Sequence, residues 1–384
     1  MAPAPPLIYL NNAATSFPKP TEVLEEVATC LRLPIHEAGR TTGNGATDYP
    51  AVTREALAAF FHAEKPEHCI FTQNATDALN LLIHGFAKRE STPFHVITTE
   101  LDHNAVLRPL TALEQDHRIA LSIAPFTGSH VNPAAIRNMI RPETRLVVMI
   151  HGSNVLGSVQ EIKPVAEYCA ANDIFFVTDG AQTAGHVPVD LGDIPAGAYA
   201  FTGHKALFGI TGTGGFFIRD PDQVGVTRQG GTGTDSQNLA HPLTMPQRFE
   251  AGTPNFPGIA SLYAGIRFIG ATGLGKIARK ENGLCRSFIA LLKRIPGVTI
   301  YNESPDLPVA AFNIRGIDNQ EAGLILAKAY GVITRTGLHC APLVHRRIDG
   351  GKGCIRASFS YFNTPEHVEA AAAAVREVAA GADR

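Results

Sequence analysis

Short, unbroken apolar runs recur along the chain, and they limit its fold more tightly than any other feature. Cys69–Thr72, Val96–Thr99, Leu146–Ile150 and Ile174–Thr178 are each rich in β-branched and aromatic residues. None alternates with polar residues, so each reads as a strand covered on both faces. Helix-length segments separate them, which predicts a mainly parallel sheet with helices on both sides. Ala198–Thr202 and Gly215–Ile218 continue the series. Their closeness in sequence allows an antiparallel, hairpin-like pair.

Beyond Gly258 the pattern changes. Helical periodicity over Ile259–Ala271 and Gly275–Leu292 leads into strand-like runs at Val298–Ile300, Val309–Ile314, Gly331–Thr334 and Cys354–Phe359, with a last helix over Pro365–Ala380. This grouping reads as a smaller α+β domain. A chain of 384 residues also exceeds what one core usually serves. The expected division is a large domain over 15–260 and a small one formed by 1–14 with 261–384.

Composition removes several function classes. Hydrophobic residues make up 45% and charged residues 18%, with a formal net charge of −2. No basic surface marks a nucleic-acid or membrane partner. Met1–Pro6 has neither a basic region nor an apolar core, and no stretch approaches a membrane span, so a cytoplasmic location is expected. The six cysteines contain no C-x-x-C pair and read as reduced thiols. His339, Cys340, His345 and Cys354 fit no common zinc spacing, and no resident metal is expected.

Three apolar runs end in groups capable of chemistry: His151-Gly152-Ser153-Asn154, Asp179-Gly180-Ala181-Gln182 and Gly203-His204-Lys205. In doubly wound sheets, ligands collect beyond the carboxyl ends of the strands. Singly, each has a plain reading as a turn or helix cap. Together they offer a lysine able to form a Schiff base and a carboxylate able to face a pyridine nitrogen, which is what pyridoxal 5′-phosphate requires. Asn74-Ala75-Thr76-Asp77 follows the first run and opens a helical pattern, either as a phosphate cup or with Thr76 as an ordinary N-cap.

At these motifs the chain resembles the class V aminotransferases of fold-type I pyridoxal phosphate enzymes, and among them the cysteine desulfurases and selenocysteine lyases. The resemblance also covers Tyr9–Thr15, Asp102-His103-Asn104, Phe249–Pro254 and Arg335-Thr336-Gly337-Leu338-His339-Cys340-Ala341-Pro342. It implies an α/β fold with a seven-stranded sheet in the large domain. Lys205 would carry the cofactor and move protons, Asp179 would pair with the ring nitrogen, and Gln182 with the ring hydroxyl. His103 would stack on the ring and shuttle a proton. Ala75, Thr76, Thr202 and His204 would hold the phosphate, joined by Gly252 and Thr253 of the second subunit of a homodimer. Asn154, Arg335 and Arg356 would position the substrate carboxylate.

The reaction then turns on Cys340. A desulfurase needs a thiolate that takes sulfur from L-cysteine as a persulfide and releases L-alanine, and Arg335, His339, His345, Arg346 and Arg347 make this segment electropositive. The plain alternative is a buried, inert cysteine. Asn11 stands where the family usually has aspartate, and Leu338 where histidine is frequent. Selenocysteine as substrate, another class V reaction (aminotransfer, epimerisation or C–S β-elimination), and a non-catalytic sulfur-carrier or metal-binding role stay open, as does a sulfur-acceptor protein.

Overall fold

The computed structural model describes residues 7–34 and 47–382. In chain order the strands are β1 (Ile8–Tyr9), β2 (Cys69–Thr72), β3 (Phe94–Thr99), β4 (Ile119–Ala124), the small hairpin β5 (Phe126–Thr127) and β6 (His130–Val131), β7 (Thr144–Ile150), β8 (Phe175–Asp179), β9 (Ala198–Thr202) and β10 (Gly214–Ile218). The C-terminal part adds β11 (Val298–Ile300), β12 (Val309–Ile314), β13 (Val332–Ile333), β14 (Arg335–Gly337) and β15 (Cys354–Ser358).

Seven strands form the central sheet in the order β2-β10-β9-β8-β7-β3-β4. Every pairing in it is parallel except those of β10, which runs antiparallel to both β9 and β2. The short link between β9 and β10 imposes this, because a parallel crossover needs about a dozen residues or more and usually a helix. The apolar runs are buried along their whole length in β3, β8, β9 and β10. Two core clusters cover the two faces, one built on Val96, Leu146, Val148 and Val177, the other on Ile97, Val147, Met149 and Phe176. That division follows the two-residue period of a strand.

A second sheet of four antiparallel strands, β11-β12-β15-β14, packs against the helices Leu274–Leu292, Asn319–Tyr330 and Pro365–Ala382. β1 pairs in parallel with β13, so the N-terminal segment joins the C-terminal part of the chain. β4, β14 and the β5–β6 hairpin are strands that the apolar pattern does not reveal. β4 is an edge strand with a partly exposed, mixed burial pattern, and β14 is polar throughout.

Close packing fixes the segment that follows Lys205. The helix Phe256–Thr272 passes so near it at Gly265 that a Cβ there would collide with the Leu207 carbonyl. Among the described residues no helix is long and apolar enough to cross a membrane.

Candidate active site

The loops leaving β2, β3, β7, β8 and β9 converge at the carboxyl edge of the central sheet on a cavity of about 250 Å³. Parallel strands bring this about, because their carboxyl ends all point the same way. Asn74, Ala75, Thr76, His103, Asn154, Asp179, Gln182, Thr202, His204 and Lys205 all line it. Ten residues from the ends of five strands and the segments that follow them thus meet around one space, nine of them expected from the sequence. Asn74 is the exception: its side chain accepts from Asp77 N at 3.0 Å and caps the helix Ala75–Arg89. The N-cap is therefore Asn74 rather than Thr76, which lies in the first turn. There the backbone N–H groups lack intrahelical partners and favour an anion.

Lys205 is enclosed, and burial pushes its ammonium down to about 8, with Arg356 and Arg335 adding to the effect and Asp179 opposing it. A large neutral fraction near pH 8 makes it a competent nucleophile toward an aldehyde. Asp179 is also enclosed, and burial raises its carboxyl while Lys205 pulls it back. One oxygen accepts from Ala181 N at 2.9 Å, which holds the group at the end of β8. His103 accepts from Ala105 N through Nδ1 at 3.0 Å. Burial and the surrounding cations, Lys205 first, hold its ring neutral, down to about 3. The neutral ring lines the cavity, as stacking on a planar ring would require.

Pyridoxal phosphate suits this cavity. Asn154 Oδ1, Gln182 Oε1, Thr202 Oγ1 and His204 Nδ1 are buried without a hydrogen-bond partner among the described residues. Leaving such atoms unpaired costs about 1–3 kcal/mol each. A ligand with a phosphate, a ring nitrogen and a ring hydroxyl supplies partners of the right kind beside the carboxylate, the helix N-terminus and the lysine.

Arg335 and Arg356 are opposite partners on β14 and β15. Arg356 is buried and donates to the Asn154 carbonyl at 2.9 Å and to Asn11 Oδ1 at 3.4 Å. Burial, with Arg335 beside it, pushes its guanidinium down, to about 9. Among the described residues neither arginine has a carboxylate partner, so both guanidinium groups keep their capacity to pair with an anion. Asn11, standing where a carboxylate would neutralise Arg356, keeps that charge available.

Cys340 lies in the turn between β14 and the helix Pro342–Ile348 and is partly exposed, whereas the other five cysteines are buried. Arg335 donates to its Sγ at 3.7 Å. The backbone at His339 and Cys340 is left-handed, with φ of 50° and 57°. Asn154 donates to the His339 carbonyl and Asn104 N to the Cys340 carbonyl, each at 2.7 Å, tying the turn to the cavity loops. Cys340 is thus not the fully buried thiol of the plain alternative.

Gly252 and Thr253 do not reach the cavity. They line a separate cleft with Asp77, Arg228 and Asn255. Lys19, which no motif marks, donates to the His204 carbonyl at 2.8 Å and to Ser16 Oγ at 2.7 Å, bracing the residue before Lys205. Of His339, Cys340, His345 and Cys354, the fold gathers the first, third and fourth.

The family model described as Aminotransferase class-V matches residues 8–371. A cysteine desulfurase of Yersinia pestis (strain Pestoides F) is 31% identical over 383 residues, covering 97% of this chain and 93% of that protein. The apo structure of a cysteine desulfurase from Thermococcus onnurineus NA1 superposes with a TM-score of 0.90 at 31% identity, covering 98% of this chain and 95% of that one. A C-DES mutant with glycine covalently linked to its PLP cofactor shares the fold, with a TM-score of 0.81, 21% identity, and 97% and 96% coverage.

Proposed function

The chain belongs to the class-V aminotransferase family, and from that premise we propose that it is a pyridoxal 5′-phosphate-dependent cysteine desulfurase, forming L-alanine and a persulfide on Cys340. The observation that carries this reading is Lys205, Asp179 and His103 around one polar cavity, with the partly exposed Cys340 on a turn tied to its rim.

When bound, the cofactor supplies an electron sink that allows bonds at the substrate's Cα and Cβ to break. Ala75, Thr76, Thr202 and His204 would hold its phosphate, Asp179 would pair with its ring nitrogen, Gln182 with its ring hydroxyl, and His103 would stack on its ring. Gly252 and Thr253, which lie away from their own cavity, would hold the phosphate of the other subunit in a homodimer. Lys205 Nζ would anchor the cofactor, and it removes and returns a proton at the substrate Cα. Arg356 and Arg335 bind the substrate carboxylate, and Asn154 fixes both Arg356 and the cysteine turn. The Cys340 thiolate attacks the substrate sulfur. An S–S bond forms as Cβ–S breaks, and the carbon left behind takes up a proton to become the methyl group of alanine. A thiol on an acceptor protein then discharges the persulfide. The division into domains over 15–260 and over 1–14 with 261–384 belongs to the same reading, residues 1–6 lying outside the described ones. So does a cytoplasmic location.

Product analysis with L-cysteine tests the reaction. Alanine and sulfane sulfur in equal amounts support it, whereas pyruvate with sulfide would assign C–S β-elimination instead. Arg356→Lys keeps the charge but loses the two-pronged fork, and is expected to raise KM for L-cysteine about tenfold or more, since one such hydrogen bond to a charged group contributes roughly 1.5–3 kcal/mol. Steady-state kinetics checks it. Attachment of the cofactor to the apoprotein needs the neutral Lys205 amine. Its rate therefore rises with pH through about 8 and then levels, because the folded lysine sits that far below its ordinary value. Stopped-flow absorbance across pH reads this directly.

A further inference from the structure

Behind the Cys340 turn lies a cluster that the desulfurase chemistry does not use. His339, His345 and Cys354 are all buried, and their ligand atoms lie within 4.8 Å of one another. His339 Nε2 is 3.5 Å from Cys354 Sγ and donates to the Cys354 carbonyl at 3.1 Å, a hydrogen bond that metal binding would replace. A tetrahedral zinc ion with ordinary Zn–N and Zn–S bonds separates its nitrogen and sulfur ligands by roughly 3.5 Å, so this edge already has the required length.

His345 gives the second, independent sign. Its Nδ1 meets Asp349 Oδ2 at 2.6 Å, and its Nε2 is buried with no partner. Asp349 is itself fixed, accepting from Gly351 N and Lys352 N at 3.0 Å each. A carboxylate on one ring nitrogen sets the tautomer and aims the lone pair of the other, as it does for metal-bound histidines. Fully buried histidines seldom leave a ring nitrogen unsatisfied without a reason.

We propose that His339, His345 and Cys354 bind one borderline-soft divalent cation, Zn²⁺ being the best match to two imidazoles and one thiolate, with water in the fourth position. The Cys354 thiol gives up its proton to solvent as the ion enters. The ion ties β15 to the helix Pro342–Ile348 through His339, the residue immediately before the sulfur acceptor, and so steadies the left-handed turn that presents Cys340.

The test is Zn²⁺ binding to the cofactor-loaded protein in the Cys340→Ala background, which removes the exposed thiol as a competing ligand. One equivalent should bind, the thermal transition should rise, and Co²⁺ in its place should give the visible d–d bands of a tetrahedral site. Cys354→Ala or His345→Gln should abolish stoichiometric binding, and Asp349→Asn should weaken it about 10–100-fold. If these variants do not fold, X-ray absorption on the Zn²⁺-loaded Cys340→Ala protein decides, since two nitrogens and one sulfur are expected. Absence of stoichiometric binding, binding that survives both ligand substitutions, or a sulfur-free shell overturns the assignment.

Discussion

Lys205→Ala is expected to lower turnover of L-cysteine by about 10⁴-fold, the upper range for loss of a positioned proton-transfer group, equivalent to roughly 5 kcal/mol of activation free energy. The visible absorbance of the lysine-linked cofactor should vanish, while added cofactor still binds reversibly through the phosphate site and Asp179. The fold should survive. Lys205 is a buried cation whose charged form burial disfavours, so its removal takes away an unfavourable charge together with the reaction. Asp179 then loses the cation that opposes its burial, and its carboxyl should rise further. A variant that kept the absorbance band, or kept most of the activity, would place the anchoring amine elsewhere. Absorbance spectra and single-turnover assays check both points.

Cys340→Ala should reduce sulfur release from L-cysteine by about 10³-fold or more, because the sulfur then has no nucleophile to receive it. Cofactor binding and its absorbance should be unchanged, since Cys340 does not line the cofactor cavity. The spectral change on adding L-cysteine should also persist, as Arg356, Arg335 and Lys205 are intact. Selenocysteine turnover should fall less, selenium being the better leaving group. Each readout separates loss of the sulfur acceptor from loss of substrate binding.

Much of this was legible in the sequence because the physics was local. A run such as Phe175–Asp179 is wholly buried, so its apolar composition marks both the strand and the polar residue at its end. Parallel pairing then carries Asp179, Lys205, Asn154 and His103 to one edge without further information. What escaped depends on pairings distant in sequence. β14 is too polar to read as a strand, and only its partner β15 reveals it, setting Arg335 opposite Arg356. The same register places Gly337 opposite Cys354, which brings His339 beside Cys354, and the next helix returns His345. No spacing rule along the chain contains that cluster, so the expectation of no metal site rested on a pattern unable to show one. Lys19 and His204 are likewise 185 positions apart. Asn74 was hidden differently, since Asn74 and Thr76 are both plausible caps and the choice is made by which side chain meets the Asp77 amide.

The central claim is that sulfur passes from L-cysteine to Cys340. Mass spectrometry of the cofactor-loaded protein, exposed to L-cysteine without reductant and then digested, tests it most directly. The account predicts the mass of one added sulfur atom on the peptide containing Cys340, removed by a thiol reductant and accompanied by alanine. Alanine formed in multiple turnovers with no sulfur on Cys340, or sulfur found on another cysteine, would contradict it.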